Sequence, residues 1–172
     1  MEKCIIIKPT FDTKSLYKAN LYFLINSKLK YFLFILLIIL SYNFFKDSIY
    51  KKNDIISIVL VLLIAIFSIL MVLIVYFLGV YRLSRKQILE NPRLKENIVY
   101  ILNDEFFQEK GESYEIKHFW KNINKVVEKK ELFFIYINKN RANFIKKTDL
   151  KNEQYDELKQ LFNSLNIKKS LK

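Results

Sequence analysis

Two long uncharged stretches in the first half of the chain restrict its fold more than anything else. Tyr31–Phe45 (YFLFILLIILSYNFF) has no charged residue between Lys30 and Lys46, and Ile55–Tyr81 (IISIVLVLLIAIFSILMVLIVYFLGVY) has none between Asp54 and Arg82. A bilayer core about 30 Å thick takes about 20 apolar residues rising about 1.5 Å each. The second run, 27 residues, extends about 40 Å as a helix. It crosses with tilt, or with Tyr76 and Tyr81 in the headgroup belt. The alternative, burial in a soluble core, would need a larger partner than this chain supplies. The first run, 15 residues, covers about 22 Å. It crosses if Lys30 and Lys46 snorkel and the helix continues into Leu29 and Ile49; a re-entrant or interfacial placement is its alternative. The expected arrangement is a transmembrane helical hairpin over residues 31–81, with spans at about 31–48 and 55–81.

Neither run contains an ionisable Asp, Glu, Lys, Arg or His, which argues against an ion path or proton relay within one copy. Ser41, Asn43, Ser57 and Ser68 are polar groups that bond within a helix or to a partner helix. Lys and Arg near the span ends set orientation. Residues 16–30 and 82–96 together carry eight, and the loop 46–54 carries three. Both termini are therefore expected in the cytoplasm, the loop outside, and the chain in the cell (inner) membrane. The net charge of +12 fits an anionic membrane surface better than nucleic acid once the chain is anchored in lipid; a compositional bias toward lysine is the bland reading. The single cysteine, Cys4, excludes an intrachain disulfide. No cleavable signal sequence is expected, because the first apolar run begins near residue 31 and no small-residue cleavage site follows it.

Taken in order, Cys4–Lys8 is a β-branched run that Pro9 ends. Asp12 or Thr13 can cap a helix over residues 14–27, either lying at the inner membrane surface or packed on a soluble domain. After the second span, Arg82–Glu90 continues as a polar helix until Asn91-Pro92 breaks it. Strands are then expected at Ile98–Leu102, Glu105–Lys110, around Tyr114–Trp120, at Lys125–Lys129, Leu132–Asn138 and Arg141–Lys146, with Gly111 at a turn. A closing helix capped by Thr148 or Asp149 carries one apolar stripe: Leu150, Tyr155, Leu158, Leu161, Phe162 and Leu165. The expected class is α+β. Its parts are an N-terminal strand and amphipathic helix (1–30), the hairpin (31–81), a juxtamembrane helix and linker (82–96), and a small antiparallel sheet domain closed by a helix (97–168).

That order resembles a pleckstrin-homology-like (PH-like) layout, and particular residues resemble the YcxB-like family of bacterial membrane proteins. The matching features are the two-span hairpin, Tyr81-Arg82, Tyr114-Glu115-Ile116, Phe119–Val126 (FWKNINKV), Leu132–Ile137 (LFFIYI) and the closing helix. The family tends to have Ile-Pro-Lys before the last helix, where this chain has Ile145-Lys146-Lys147. The resemblance implies a bent antiparallel sheet with a C-terminal helix. It implies no particular activity.

No residues suggest catalysis, a cofactor or a metal. His118 is the only histidine and lacks neighbours at ligand spacing; a structural role is expected. Cys4 reads as a small hydrophobe. With Gly79 and Gly111 the only glycines, a phosphate-cradling loop is nearly excluded. Trp120 is expected to anchor the domain core beside Phe134, Tyr136 and Phe162. Lys129, Lys130, Lys139, Arg141, Lys146 and Lys147, with Lys151, lie on or beside strand ends and are candidates for contact with anionic headgroups or a protein partner. A solvated face is the alternative. The functional expectation is a non-enzymatic inner-membrane protein whose cytoplasmic PH-like domain binds a protein partner or an anionic lipid surface. The alternatives are an accessory subunit of a membrane transport or export complex and, with least support, an enzyme acting on membrane substrates.

Overall fold

The computed structural model describes residues 4–25, 35, 38, 39, 42, 46, 55–139, 141–151 and 153–171. The first expected span, 31–48, falls largely outside the described residues. The chain divides into two compact units: Met1–Ser15 with Gln87–Lys172, and Leu16–Lys86.

Helix α1 (Thr13–Ile25) starts at a cap formed by Asp12 at the edge of the first unit, and most of it belongs to the second. The Asp12 carboxylate accepts the Ser15 amide at 2.8 Å, and the Ser15 hydroxyl accepts the Asp12 amide at 3.3 Å. This reciprocal arrangement satisfies the orphan donors of the first turn. Helix α2 runs unbroken from Ile55 to Glu90, about 54 Å at the α-helical rise. Leu62–Glu90 is long and apolar enough to cross a membrane, and its side chains are almost all exposed. Near its polar end Val80 and Ser84 are buried. Asn20 donates to Ser84 Oγ at 2.9 Å, and Tyr17 meets Tyr81 edge-on at 6.0 Å. Helix α1 thus packs on α2, a third outcome beside the two placements expected for it.

The first unit is α+β. Strands β1 (Ile5–Ile7), β2 (Val99–Leu102), β3 (Phe106–Lys110) and β4 (Glu115–Phe119) form one antiparallel sheet in that order. Strands β5 (Lys125–Glu128), β6 (Leu132–Tyr136), β7 (Ala142–Lys146) and β8 (Lys168–Ser170) form a second, in the order β7-β6-β5-β8, with β8 parallel to β5. Helix α3 (Gln154–Ser164) carries Leu158 and Phe162 into the core. The core joins the inner faces of both sheets through Ile7, Tyr100, Phe107, Trp120, Phe133 and Phe162.

Strand β1 pairs with β2 in the register Ile5↔Leu102 to Ile7↔Tyr100. The first sheet therefore joins a strand near the N-terminus to three strands from residues 99–119, with residues 8–98 inserted between two of its neighbouring strands.

Two expectations need correction. The closing helix begins at Gln154 with Glu153 as its cap residue. Asp149 is already occupied, because it accepts both the amide and the hydroxyl of Thr10 at 2.8 Å. Of the three neighbours expected for Trp120, Phe162 meets it edge-on at 6.0 Å. Phe134 and Tyr136 instead pack with each other and, through Phe134, with Phe144. All five residues of β6 are buried, so its period of two leaves no polar trace from which to assign faces. Strand β8 has no signature in the sequence: Lys-Lys-Ser has little strand propensity, and it forms because β5 offers it an edge.

Candidate functional site

The six basic positions lie at two ends of the second sheet. Lys129 and Lys130 occupy the β5–β6 turn, and the pairing Leu132↔Lys146 brings Lys146 and Lys147 to that end. Lys139 and Arg141 occupy the β6–β7 turn at the other end, about 13 Å away along β6. Lys146 and Lys147 serve the fold. Lys146 binds Asp12 at 2.9 Å and Asp149 at 3.7 Å, tying the N-terminal segment to β7. Burial pushes the Asp12 carboxyl up, but hydrogen bonds from Lys146 and Ser15 and the Lys146 charge outweigh it and hold it below its ordinary value. Lys147 pairs with Glu128, a carboxylate almost wholly inside the domain, which also accepts from the Tyr155 hydroxyl at 2.8 Å. The Lys147 ammonium lies over the rings of Phe133 and Tyr155 at 5.1 and 5.2 Å. A buried carboxylate is tolerable only when paired in this way.

A second polar group links the sheets. Glu109 on β3 accepts from the Tyr114 hydroxyl at 2.5 Å and from Asn143 Nδ2 on β7 at 2.8 Å. Burial raises the Tyr100 phenol well above its ordinary value, and the Glu109 charge adds to this. Burial and the hydrogen bond to Glu109 raise Tyr114 in the same way. His118 stacks on Phe107 at 6.1 Å with Nε2 buried and unpartnered. Burial, then the Arg141 charge, lower its pKa against the opposing pull of Glu109. These shifts favour neutral side chains and follow from packing between the sheets.

The third feature is an open cleft of about 530 Å³. Its walls are Asp104 and Glu105 from the β2–β3 turn, Phe119 at the end of β4, Trp120 and Lys121 after it, and Leu165–Ile167 after α3. Asn103, buried, builds one side: its side chain accepts the amides of Glu105 and Phe106 at 3.0 and 2.9 Å, and its carbonyl accepts Trp120 Nε1 at 2.7 Å. The lining combines apolar Phe119, Trp120, Leu165 and Ile167 with two carboxylates, Asp104 and Glu105, and one cation, Lys121. None of the six basic positions lines it. In the sequence Asn103-Asp104 marks a turn, and nothing local marks the cleft beside it. Buried Glu128 stands between Val127 and a lysine pair in the sequence, a pattern that does not identify Lys147 and Tyr155 as its partners.

Residues 102–162, from the end of β2 to Phe162 of α3, match the family model described as YcxB-like protein. This segment is a YcxB-like domain. It contains the Tyr114-Glu115-Ile116, Phe119–Val126 and Leu132–Ile137 segments, whereas the apolar runs and Tyr81-Arg82 lie outside the match. No curated protein matches the chain, and no solved structure does.

Proposed function

We propose that the chain is an integral protein of the bacterial inner membrane, with a two-span hairpin and both termini in the cytoplasm. Its YcxB-like domain, PH-like in layout, binds a segment of a protein partner without catalysis. The observation that carries the anchor is the pairing of β1 with β2. Strands that share a ladder lie on one side of a membrane, so residues 8–98 must cross it an even number of times. With α2 as one crossing, a second belongs to residues 26–54, where the first uncharged run lies. The excess of Lys and Arg beside residues 16–30 and 82–96 puts the paired strands on the cytoplasmic side. Two four-stranded sheets closed by α3 support the PH-like layout.

Between the two binding classes, the arrangement of charge favours protein. Lys146 and Lys147 are spent on buried or bridging partners, and the other four basic positions are split between two ends. The cleft, with two carboxylates, Asp104 and Glu105, against the single cation Lys121 beside an apolar surface, suits an extended segment that presents an apolar side chain beside a cation better than an anionic headgroup.

Two experiments test these readings. A membrane-impermeant maleimide applied to intact cells should label Ser48→Cys in a Cys4→Ser background, and should leave native Cys4 and Lys172→Cys unlabelled until lysis. A protected loop, or a labelled terminus, would reject the hairpin. A displayed peptide library panned against the full chain in nanodiscs should enrich segments pairing Lys or Arg with a large apolar residue. Enrichment that survives Asp104→Lys/Glu105→Lys unchanged, or no enrichment, would reject the cleft.

A further inference from the structure

The two sheets have four outer strands, and three of them are managed. The Ile6 carbonyl of β1 accepts Gln154 Nε2 from α3 at 2.9 Å. Strand β7 is held by the N-terminal segment: Phe11 meets Phe144 edge-on at 5.5 Å and Asp12 binds Lys146. Strand β8 is three residues long and carries two lysines, a usual way to blunt an edge. The fourth, β4, is five residues long, and β3 is its sole ladder neighbour among the described residues.

The register shows which of its amides face outward. Gly111 donates to the Tyr114 carbonyl at 2.9 Å and Trp120 to the Glu105 carbonyl at 3.1 Å. Both bonds belong to one antiparallel ladder, in which bonded pairs recur at every second residue. Ile116 and His118 therefore bond to β3, and Glu115, Lys117 and Phe119 direct their N–H and C=O groups away from the sheet. The side chains of these three residues are exposed and share the outer face.

We propose that β4 is the seam of a homodimer, in which β4 of a second copy adds antiparallel about a two-fold axis at Ile116. This register makes Glu115 and the partner's Lys117 a hydrogen-bonded pair, and the symmetry repeats the pair. All four outward groups of these residues are then satisfied, and opposite charges face each other twice. Moving the axis by one residue to Lys117 would set two lysines directly opposite, which is unfavourable. The seam thus selects its own register through charge, and it joins the two first sheets into one of eight strands. Present contacts leave room for this. Glu115 gives one oxygen to Gln108 at 2.7 Å and keeps the other 4.0 Å from Lys110. The Lys117 ammonium rests over the Phe106 ring at 3.5 Å, a contact compatible with a carboxylate beyond it.

Register-specific crosslinking of the full chain in its native membranes tests this. In a Cys4→Ser background, differently tagged Glu115→Cys and Lys117→Cys chains are co-expressed and oxidised. Paired residues in the proposed register lie about 5.5 Å apart between Cα atoms, within disulfide reach. The mixed dimer should form at least about five times more readily than Lys117→Cys with itself, whose diagonal separation is about 7–8 Å. Equal yields, or none, would overturn the seam, including the case where β4 instead receives a strand of another protein. Charge reversal gives the second reading. Glu115→Lys and Lys117→Glu should each lower the dimer fraction of the purified chain about fivefold or more, and the double reversal should restore it. Folding of each variant is read from fluorescence of Trp120, the only tryptophan. Folded single variants that dimerise like the parent, or a double reversal that does not recover, would also overturn it.

Discussion

Lys147 is a cation whose work is internal. Its ammonium neutralises Glu128, which lies beneath Tyr155 and against Phe133. Removing one partner of a buried pair leaves an uncompensated charge, at about 3–5 kcal/mol. Lys147→Ala should lower the unfolding free energy by that order, as read from Trp120 fluorescence during urea denaturation. Lys147→Met with Glu128→Leu should recover most of it, because packed apolar side chains replace buried pairs at little cost. His118 supplies a pH dependence. Its folded pKa is depressed below the ordinary 6.5, so between those two values the unfolded chain binds the extra proton. Its contribution is present above pH 6.5 and is lost as pH falls toward the folded value. The melting temperature should drop between pH 7.5 and 5, and His118→Gln should flatten that drop. Asp12, also depressed, acts only below its ordinary 3.8, so the two windows separate. The sequence made the lone histidine visible, but not the Phe107 ring beside it or the Arg141 charge, because one comes from β3 and the other from the β6–β7 turn.

Within the first unit, residues 91–98 are tied to the β3–β4 turn. Asn91 caps a short 3-10 turn, Pro92–Lys95. Glu96 then accepts the amides of Glu112 and Ser113 at 2.7 and 3.0 Å and the Ser113 hydroxyl at 2.5 Å, all in the β3–β4 turn. Those hydrogen bonds from Ser113, together with the Glu112 amide and Arg93, hold its carboxyl below the ordinary value against a small burial effect. Gly111 leaves the space: a Cβ there would strike Glu96 Oε2 and the Tyr114 ring. Its φ is not positive, so the requirement is room and not backbone freedom. Gly111→Ala should cost about 1–3 kcal/mol by overpacking, measured by the same fluorescence. The period-two and helical patterns in the sequence located β1 to β7 and α3 within a residue or a few. They could not locate β8, whose residues have no strand character, nor the true start of α3, because Asp149 is diverted by Thr10, 139 positions away in the chain. The basic positions were legible as residues but not as a surface, since only the ladder register shows that they divide between two ends. The cleft depends on Leu165–Ile167 meeting Asp104–Glu105, a proximity that no local pattern encodes.

At the scale of the whole molecule, the YcxB-like match begins at residue 102, yet the folded unit does not. Ile5 and Ile7 are buried in the core, and β1 covers the ladder edge of β2. The unit is therefore discontinuous, and it closes only when residues near both ends of the chain meet. Deleting β1 removes two buried isoleucines, each worth about 1.5–3 kcal/mol. It also removes the Asp12–Lys146 and Thr10–Asp149 ties and exposes an apolar edge at β2. Residues 97–172 produced alone should be less stable than the intact unit by about 3–6 kcal/mol. Fusing residues 1–12 through a glycine-serine linker to residue 97 should restore a cooperative Trp120 transition in a chain that lacks both apolar runs. Ile5→Asp/Ile7→Asp in that fusion should abolish the gain, separating strand addition from a mere effect of the linker. If residues 97–172 alone melted as the fusion does, β1 would be dispensable. The hairpin would lose its support with it, because an even number of crossings follows only if β1 and β2 are partners in the folded protein.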